Sequence, residues 1–158
     1  MNKIPIILFL IFLCSCQNRE NNNLKKYPVY KTNQQWKKIL SDKEYEIMVE
    51  GGTEPAFNNS FFNHHEKGVY ISAATNESLF SSEDKFDSGT GWPSFTKPIN
   101  ANLVTILKDN SYGMERDEVV ETKTGLHLGH VFDDGPMTKG GKRYCINSGA
   151  LKFVKKSK

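Results

Sequence analysis

The sequence predicts a mainly β fold with two short helices ahead of the strands. From Gly68 onward, apolar and polar residues alternate in short runs broken by Gly, Pro, Asn and Asp, the pattern of antiparallel strands. Before that point, two Ser/Thr-x-x-Glu/Gln boxes each introduce a helix-period apolar run. At 158 residues the chain is long enough for one hydrophobic core and short for two ordinary domains.

The N-terminus reads Met1-Asn2-Lys3 and then runs apolar from Ile4 to Leu13, the charge-then-apolar order of a secretory signal and too short to span a bilayer. The run ends in Leu13-Cys14-Ser15-Cys16, which resembles a bacterial lipobox, with Cys16 as the residue that becomes the acylated N-terminus and Cys14 leaving with the signal. An uncleaved N-terminal anchor is the alternative, and either reading places the domain outside the cytoplasm. The expected organisation is a lipoprotein signal peptide over 1–15, an acylated N-terminus and flexible tether over 16–30, and one domain over 31–158. Gln17 to Lys26 is Asn- and Lys-rich and nearly without apolar residues, so it cannot offset the entropy of ordering. Several acyl chains, at about 0.8 kcal/mol per buried methylene, give stable membrane attachment. Gln17, where inner-membrane retention calls for aspartate, points to the outer membrane.

In the domain, Thr32 with Gln35 caps a helix carrying Trp36, Ile39 and Leu40, and Ser41 with Glu44 caps one carrying Tyr45, Met48 and Val49. Gly51 and Gly52 end the second. Strands are expected at Val69 to Ser72, Leu103 to Leu107, Val119 to Thr122, Leu126 to Phe132, Arg143 to Ser148 and Leu151 to Val154. Turn signals at Asp133-Asp134-Gly135-Pro136 and Gly140-Gly141 precede the last two.

The formal net charge of +3 falls by one when Lys3 leaves with the signal, a balance that does not suggest nucleic acid. With Cys14 removed and Cys16 acylated, Cys145 is the one thiol left of three cysteines, in a compartment where cysteines normally pair. Such a thiol is either reactive or buried.

In Arg143-Tyr144-Cys145-Ile146-Asn147 the two-residue period of a strand puts Cys145 on one face with Arg143 and Asn147, and Tyr144 and Ile146 on the core face. A guanidinium roughly 7 Å away favours a thiolate by about 2 kcal/mol at an effective dielectric near 20. His127 and His130 in His-Leu-Gly-His suit a metal pair, an acid/base pair or two unrelated strand histidines. On a regular strand they face opposite sides, and a bulge at Gly129 would bring them together. His64 and His65 are the only other imidazoles, so a His-only zinc site is disfavoured. In Gly89-Thr90-Gly91-Trp92-Pro93-Ser94-Phe95 a constrained loop holds an indole that is either a core plug or a ligand wall.

Taken together, Gly52-Thr53-Glu54-Pro55, His64-His65-Glu66-Lys67-Gly68, Leu79-Phe80-Ser81-Ser82, Phe86 to Phe95, His127 to Pro136 and Arg143 to Ser148 resemble the methionine sulfoxide reductase B family, from about Trp36 to Phe153. The resemblance implies a β-tent of two small antiparallel sheets with short N-terminal helices. It further implies that Cys145 attacks the sulfur of oxidised methionine and becomes a sulfenic acid, with His127 and His130 as proton donor and orienting group. Trp92 then packs on the substrate methyl, and Arg143 and Asn147 polarise the thiol and order water or oxygen near it. The implied substrate is peptide-bound methionine, as the R epimer of the sulfoxide, and the implied role is protein repair after oxidative damage.

The sequence departs from the family in two places. Many relatives hold a structural zinc with two Cys-x-x-Cys pairs, where this chain has Ser72 and Thr75, then Glu121 and Thr124. No zinc is expected, and Ile71, Leu79 and Val119 are candidates for a replacing core. Many relatives also carry a resolving cysteine where this chain has Thr90, so reduction is expected from an external thiol, either a thioredoxin-like domain or a small thiol. Two other functions fit parts of the sequence: a noncatalytic lipoprotein that binds oxidised peptides through Trp92, and a Cys/His hydrolase.

Overall fold

The computed structural model describes residues 26–156. The signal, the lipobox with Cys16 and most of the tether lie outside the described residues. The packed chain begins before residue 31: the Tyr27 ring lies over Gly125, and the Val29 amide donates to the Lys123 carbonyl at 2.9 Å.

Both capping boxes form. Thr32 caps α1 (Asn33–Lys37) and Ser41 caps α2 (Asp42–Met48), each with the N3 side chain returning to the cap amide. Trp36, Leu40, Tyr45 and Met48 enter the core, and Ile47 joins them. Ile39, expected on the apolar face, is half exposed because it lies past the end of α1, where the helical period no longer holds.

Among the described residues nine strands follow: β1 (Gly68–Ser72), β2 (Ser78–Ser81), β3 (Lys85–Phe86), β4 (Ser94–Phe95), β5 (Val104–Asp109), β6 (Arg116–Glu121), β7 (His127–Phe132), β8 (Arg143–Ile146) and β9 (Leu151–Lys155). They make two antiparallel sheets, three strands in the order β2-β1-β9 and six in the order β3-β4-β8-β7-β6-β5. One apolar core takes Tyr70, Leu79 and Phe80 from the smaller sheet and Phe95, Val119, Leu128 and Ile146 from the larger. Phe80 and Phe95 stack across it with ring centres 4.6 Å apart.

The expected bulge in the His-Leu-Gly-His segment is present, one residue before Gly129. Val119 pairs with Gly129 and Val120 with His127, so Leu128 has no partner on β6. The extra residue resets the alternation, and His127 and His130 fall on one face with ring centres 5.3 Å apart. Gly129 is needed for a different reason. A Cβ there would lie 2.1 Å from the Cys145 carbonyl oxygen and 2.9 Å from Ile146 Cα, both backbone atoms that cannot move aside. Gly129→Ala is therefore expected to pry β7 from β8, at about 3 kcal/mol, the upper part of the overpacking range. Thermal melting followed by circular dichroism checks this, and a variant melting with the parent would show that the strands yield.

Ser72, Thr75, Glu121 and Thr124 come together at the ends of β1 and β6, but not as an apolar replacement. Thr75 and Thr124 both donate to the Glu121 carboxylate, the latter at 2.6 Å, while the Ser72 hydroxyl accepts from the Ala74 and Thr75 amides at 3.2 and 3.3 Å. Glu121 is completely buried. Leu79 and Val119 are buried as expected, whereas Ile71 is only half-buried. A polar node thus ties the smaller sheet to the larger, where packing was expected to do so. Three hydroxyls and one carboxylate already committed to two of them do not fit a tetrahedral structural zinc, which takes thiolate and imidazole donors.

Candidate active site

Strand register assembles the site. Ser94 on β4 pairs with Cys145 on β8, Cys145 with His130 on β7, and His130 with Glu118 on β6. Side chains paired across adjacent strands share a face about 5 Å apart. A hydroxyl, a thiol, an imidazole and a carboxylate therefore form one row across the larger sheet, although they come from four separated segments of sequence.

Each histidine is anchored by a carboxylate. His127 Nδ1 donates to Glu118 Oε1 at 2.7 Å, and its Nε2 faces Asn147 Nδ2 at 3.5 Å. His130 Nε2 donates to Asp109 Oδ2 at 2.8 Å, and Arg116 Nη2 reaches the same oxygen at 2.6 Å. Hydrogen bonds from Ser111 and His130 and the charge of Arg116 hold Asp109 well below the usual carboxylate range. Burial pushes His130 down, with Asp109 opposing, so its resting ring is neutral near pH 7. His64 and His65 are elsewhere, bonded to the Tyr70 hydroxyl and the Asn63 side chain respectively, both at 2.8 Å.

Cys145 and Asn147 share a face as expected, with Ile146 fully buried on the other and Tyr144 packed beside Phe80. Arg143 favours the thiolate in the expected direction but does not outweigh burial. Its Nε and Nη2 both donate to the Asp134 carboxylate at 2.8 Å, and its guanidinium lies over Phe132, 4.4 Å from the ring centre. Burial pushes the Cys145 thiol up, and Arg143, Thr90 and Ser94 only partly offset it. The resting sulfur is thus a thiol, because desolvation outweighs the favourable neighbours. Thr90 Oγ1 lies 3.9 Å from it.

Trp92 faces a cavity of about 120 Å³, which it lines together with Cys145, His130, Asn147, Arg116 and Phe132. Its Nε1 donates to the Glu54 carbonyl at 2.9 Å. The loop is fixed at Gly91, whose carbonyl accepts from the Phe57 amide at 2.9 Å and from Asn59 Nδ2 at 2.7 Å. Gly91 has φ +89°, and a Cβ there would lie 2.7 Å from the Phe57 nitrogen.

Several residues that build the site were given no role by sequence reasoning. Glu54 is buried, and its carboxylate accepts from the Ser148 and Gly149 amides while its own amide donates to Asn147 Oδ1 at 3.2 Å. It joins the tryptophan loop to the turn after Cys145. Asp109, Arg116, Glu118 and Asp134 complete the charge network. Glu54 and Asp134 lie inside the motif stretches Gly-Thr-Glu-Pro and Asp-Asp-Gly-Pro, which marked them. Asp109, Arg116 and Glu118 lie on strands whose register alone pairs them with the histidines.

A family model described as the SelR domain matches residues 40–155. A protein named peptide methionine sulfoxide reductase MsrB from Leptospira interrogans serogroup Icterohaemorrhagiae serovar Lai (strain 56601) is 49% identical over 129 residues, 82% of this chain and 98% of the relative. A protein of the same name from Methanosarcina barkeri (strain Fusaro / DSM 804) is 50% identical over 125 residues, 79% of this chain and 87% of the relative. On the extent of the family match and the identity and coverage of these relatives, the chain belongs to the methionine sulfoxide reductase B family.

Proposed function

We propose that this protein repairs oxidised proteins by reducing peptide-bound methionine (R)-sulfoxide at Cys145. Family membership makes it an oxidoreductase acting on methionine sulfoxide in peptides. The observation that carries the finer reading is the cavity where Cys145, Trp92, His130 and Asn147 converge. Trp92 and Phe132 give the substrate methyl an apolar wall, and His130 and Asn147 give the sulfoxide oxygen a polar one. A methyl, an oxygen and a peptide chain directed to three different walls define one hand at sulfur.

The Cys145 sulfur attacks the sulfoxide sulfur, and as the substrate S–O bond breaks the oxygen passes to cysteine, giving Cys-SOH and methionine. The thiol proton and the sulfoxide oxygen both end in the sulfenic acid, so cysteine is oxidised by two electrons and methionine reduced by two. Protonation of the departing oxygen falls to the histidine pair, whose carboxylate partners stabilise an imidazolium. Arg143, held by Asp134, lowers the cost of negative charge on sulfur without making a resting thiolate. Two equivalents of external thiol, from a thioredoxin-like domain or a small molecule, then return Cys-SOH to thiol with a disulfide and water as products. The reading requires no cofactor, and the committed oxygen donors at 72, 75, 121 and 124 speak against the structural zinc. The lipobox supports attachment through acylated Cys16 on the exported side of a membrane, the outer membrane being favoured by Gln17. Among the described residues, no helix is long and apolar enough to cross a membrane.

The test is incubation of the full chain with R and S epimers of a methionine sulfoxide peptide and dithiothreitol. Loss of the R epimer only, with dimedone trapping Cys145 after turnover in limiting thiol, is expected. Equal loss of both epimers would refute the handed site. Binding without turnover would identify a noncatalytic receptor.

A further inference from the structure

We propose that the hydroxyls of Thr90, Ser88 and Ser94 form a reversible hydrogen-bond chain ending on the Cys145 sulfur, accepting from it as a thiol and donating to it as a thiolate. The proposal rests on Cys145 being the nucleophile and assigns residues that serve its sulfur.

The chain is continuous. Thr90 Oγ1 lies 3.9 Å from Cys145 Sγ, Ser88 Oγ lies 2.8 Å from Thr90 Oγ1 and 2.7 Å from Ser94 Oγ, and Ser94 Oγ donates to the Trp92 carbonyl at 3.3 Å. Ser94 is completely buried. The sheet order places β4, with Ser94, on one side of Cys145 and β7, with His130, on the other. Hydroxyls thus serve the sulfur from one flank, and imidazoles from the flank that faces the cavity.

Each hydroxyl has one proton and accepts readily, so the chain has two complete arrangements. With a thiol, S–H donates to Thr90, Thr90 to Ser88, Ser88 to Ser94, and Ser94 to the Trp92 carbonyl. With a thiolate, every hydroxyl turns: Ser94 donates to Ser88, Ser88 to Thr90, and Thr90 to sulfur. The turn needs three hydroxyl rotations and moves no heavy atom. No proton leaves through the chain, so the reaction balance is unchanged, and successive donors polarise one another toward the sulfur. The chain adds donors to a site whose charged ones are shared, because Arg143 reaches the sulfur but also binds Asp134, and each histidine is held by a carboxylate. Thr90 touches the reacting sulfur and is a catalytic residue in this scheme. Ser94 also bonds the sulfur and shares that role, whereas Ser88, which bridges the two, is a positioning residue.

Thr90→Val keeps the shape and deletes the hydroxyl, Thr90→Ser keeps the hydroxyl, and Ser88→Ala breaks the chain one link away. On the full chain, the pH dependence of Cys145 alkylation by iodoacetamide is measured beside thiol-dependent reduction of a sulfoxide peptide, with thermal melting as the control for folding. Thr90→Val is expected to raise the alkylation midpoint by about one pH unit and slow alkylation at pH 7 about tenfold. Thr90→Ser should restore both, and Ser88→Ala should shift the midpoint the same way by less. A folded Thr90→Val with the parental midpoint overturns the chain. If Thr90→Val melts early, an unshifted Ser88→Ala overturns it instead. If the unmodified protein fails to reduce the peptide, the reductase reading falls while alkylation still decides the chain. If it reduces the peptide but the variants titrate like it, the chain falls and the reductase stands.

Discussion

Cys145→Ser is expected to lower the rate of methionine sulfoxide reduction at least about a thousandfold while leaving the fold intact. Serine is nearly isosteric, and its neighbours Ser94 and Thr90 already present hydroxyls, so nothing in the packing opposes it. The loss is chemical. Sulfur accepts an oxygen to give a sulfenic acid, whereas a serine oxygen would have to form an O–O bond and leave a hydroperoxide. A hydroxyl is also harder to ionise than a thiol, and burial already works against ionisation at this position. Substrate should still bind, because Trp92, His130 and Asn147 are untouched. The measurement is single-turnover reduction of an R-sulfoxide peptide, with binding of the same peptide followed separately. Turnover within tenfold of the parent would remove Cys145 from the mechanism.

Glu121→Ala is expected to cost about 3 kcal/mol of stability, within the range for breaking a buried, hydrogen-bonded charged group. The substitution leaves the Thr75 and Thr124 hydroxyls without their acceptor and opens a void in a fully buried position. It acts where the smaller sheet meets the larger, so the loss falls on the junction itself. Glu121→Gln keeps the volume and one acceptor oxygen, and its amide can donate to a hydroxyl that turns to accept, so it should recover more than half of the loss. Urea unfolding with an unchanged slope reads both variants. A Glu121→Ala midpoint equal to the parent's would mean that the sheets are held by packing, as the sequence suggested.

The two outcomes probe different depths of legibility. The capping boxes at Thr32 and Ser41 and the β pattern from Gly68 were readable because they are local: a cap needs a partner three residues away, and alternation needs only its own strand. The short strands β2, β3 and β4 carried no such signal, since two to four residues are too few for a period to emerge. Cys145, the histidines and Trp92 were legible through motif resemblance, and Cys145, His130 and Trp92 meet in one cavity. The electrostatics of the thiol were not. Spacing put Arg143 near Cys145, but Asp134, nine residues earlier in sequence, captures the guanidinium, and burial sets the direction of the shift.

By itself the sequence determined the class of fold, the helix starts and the single cysteine beyond Cys16, because these follow from residue type and near-neighbour spacing. Tertiary structure decided that Leu128 bulges, that Ser94, Cys145, His130 and Glu118 align, and that Thr75 and Thr124 join through the buried Glu121 carboxylate where packing was expected. Register across strands sets those outcomes, and register is fixed by contacts between segments far apart in the chain.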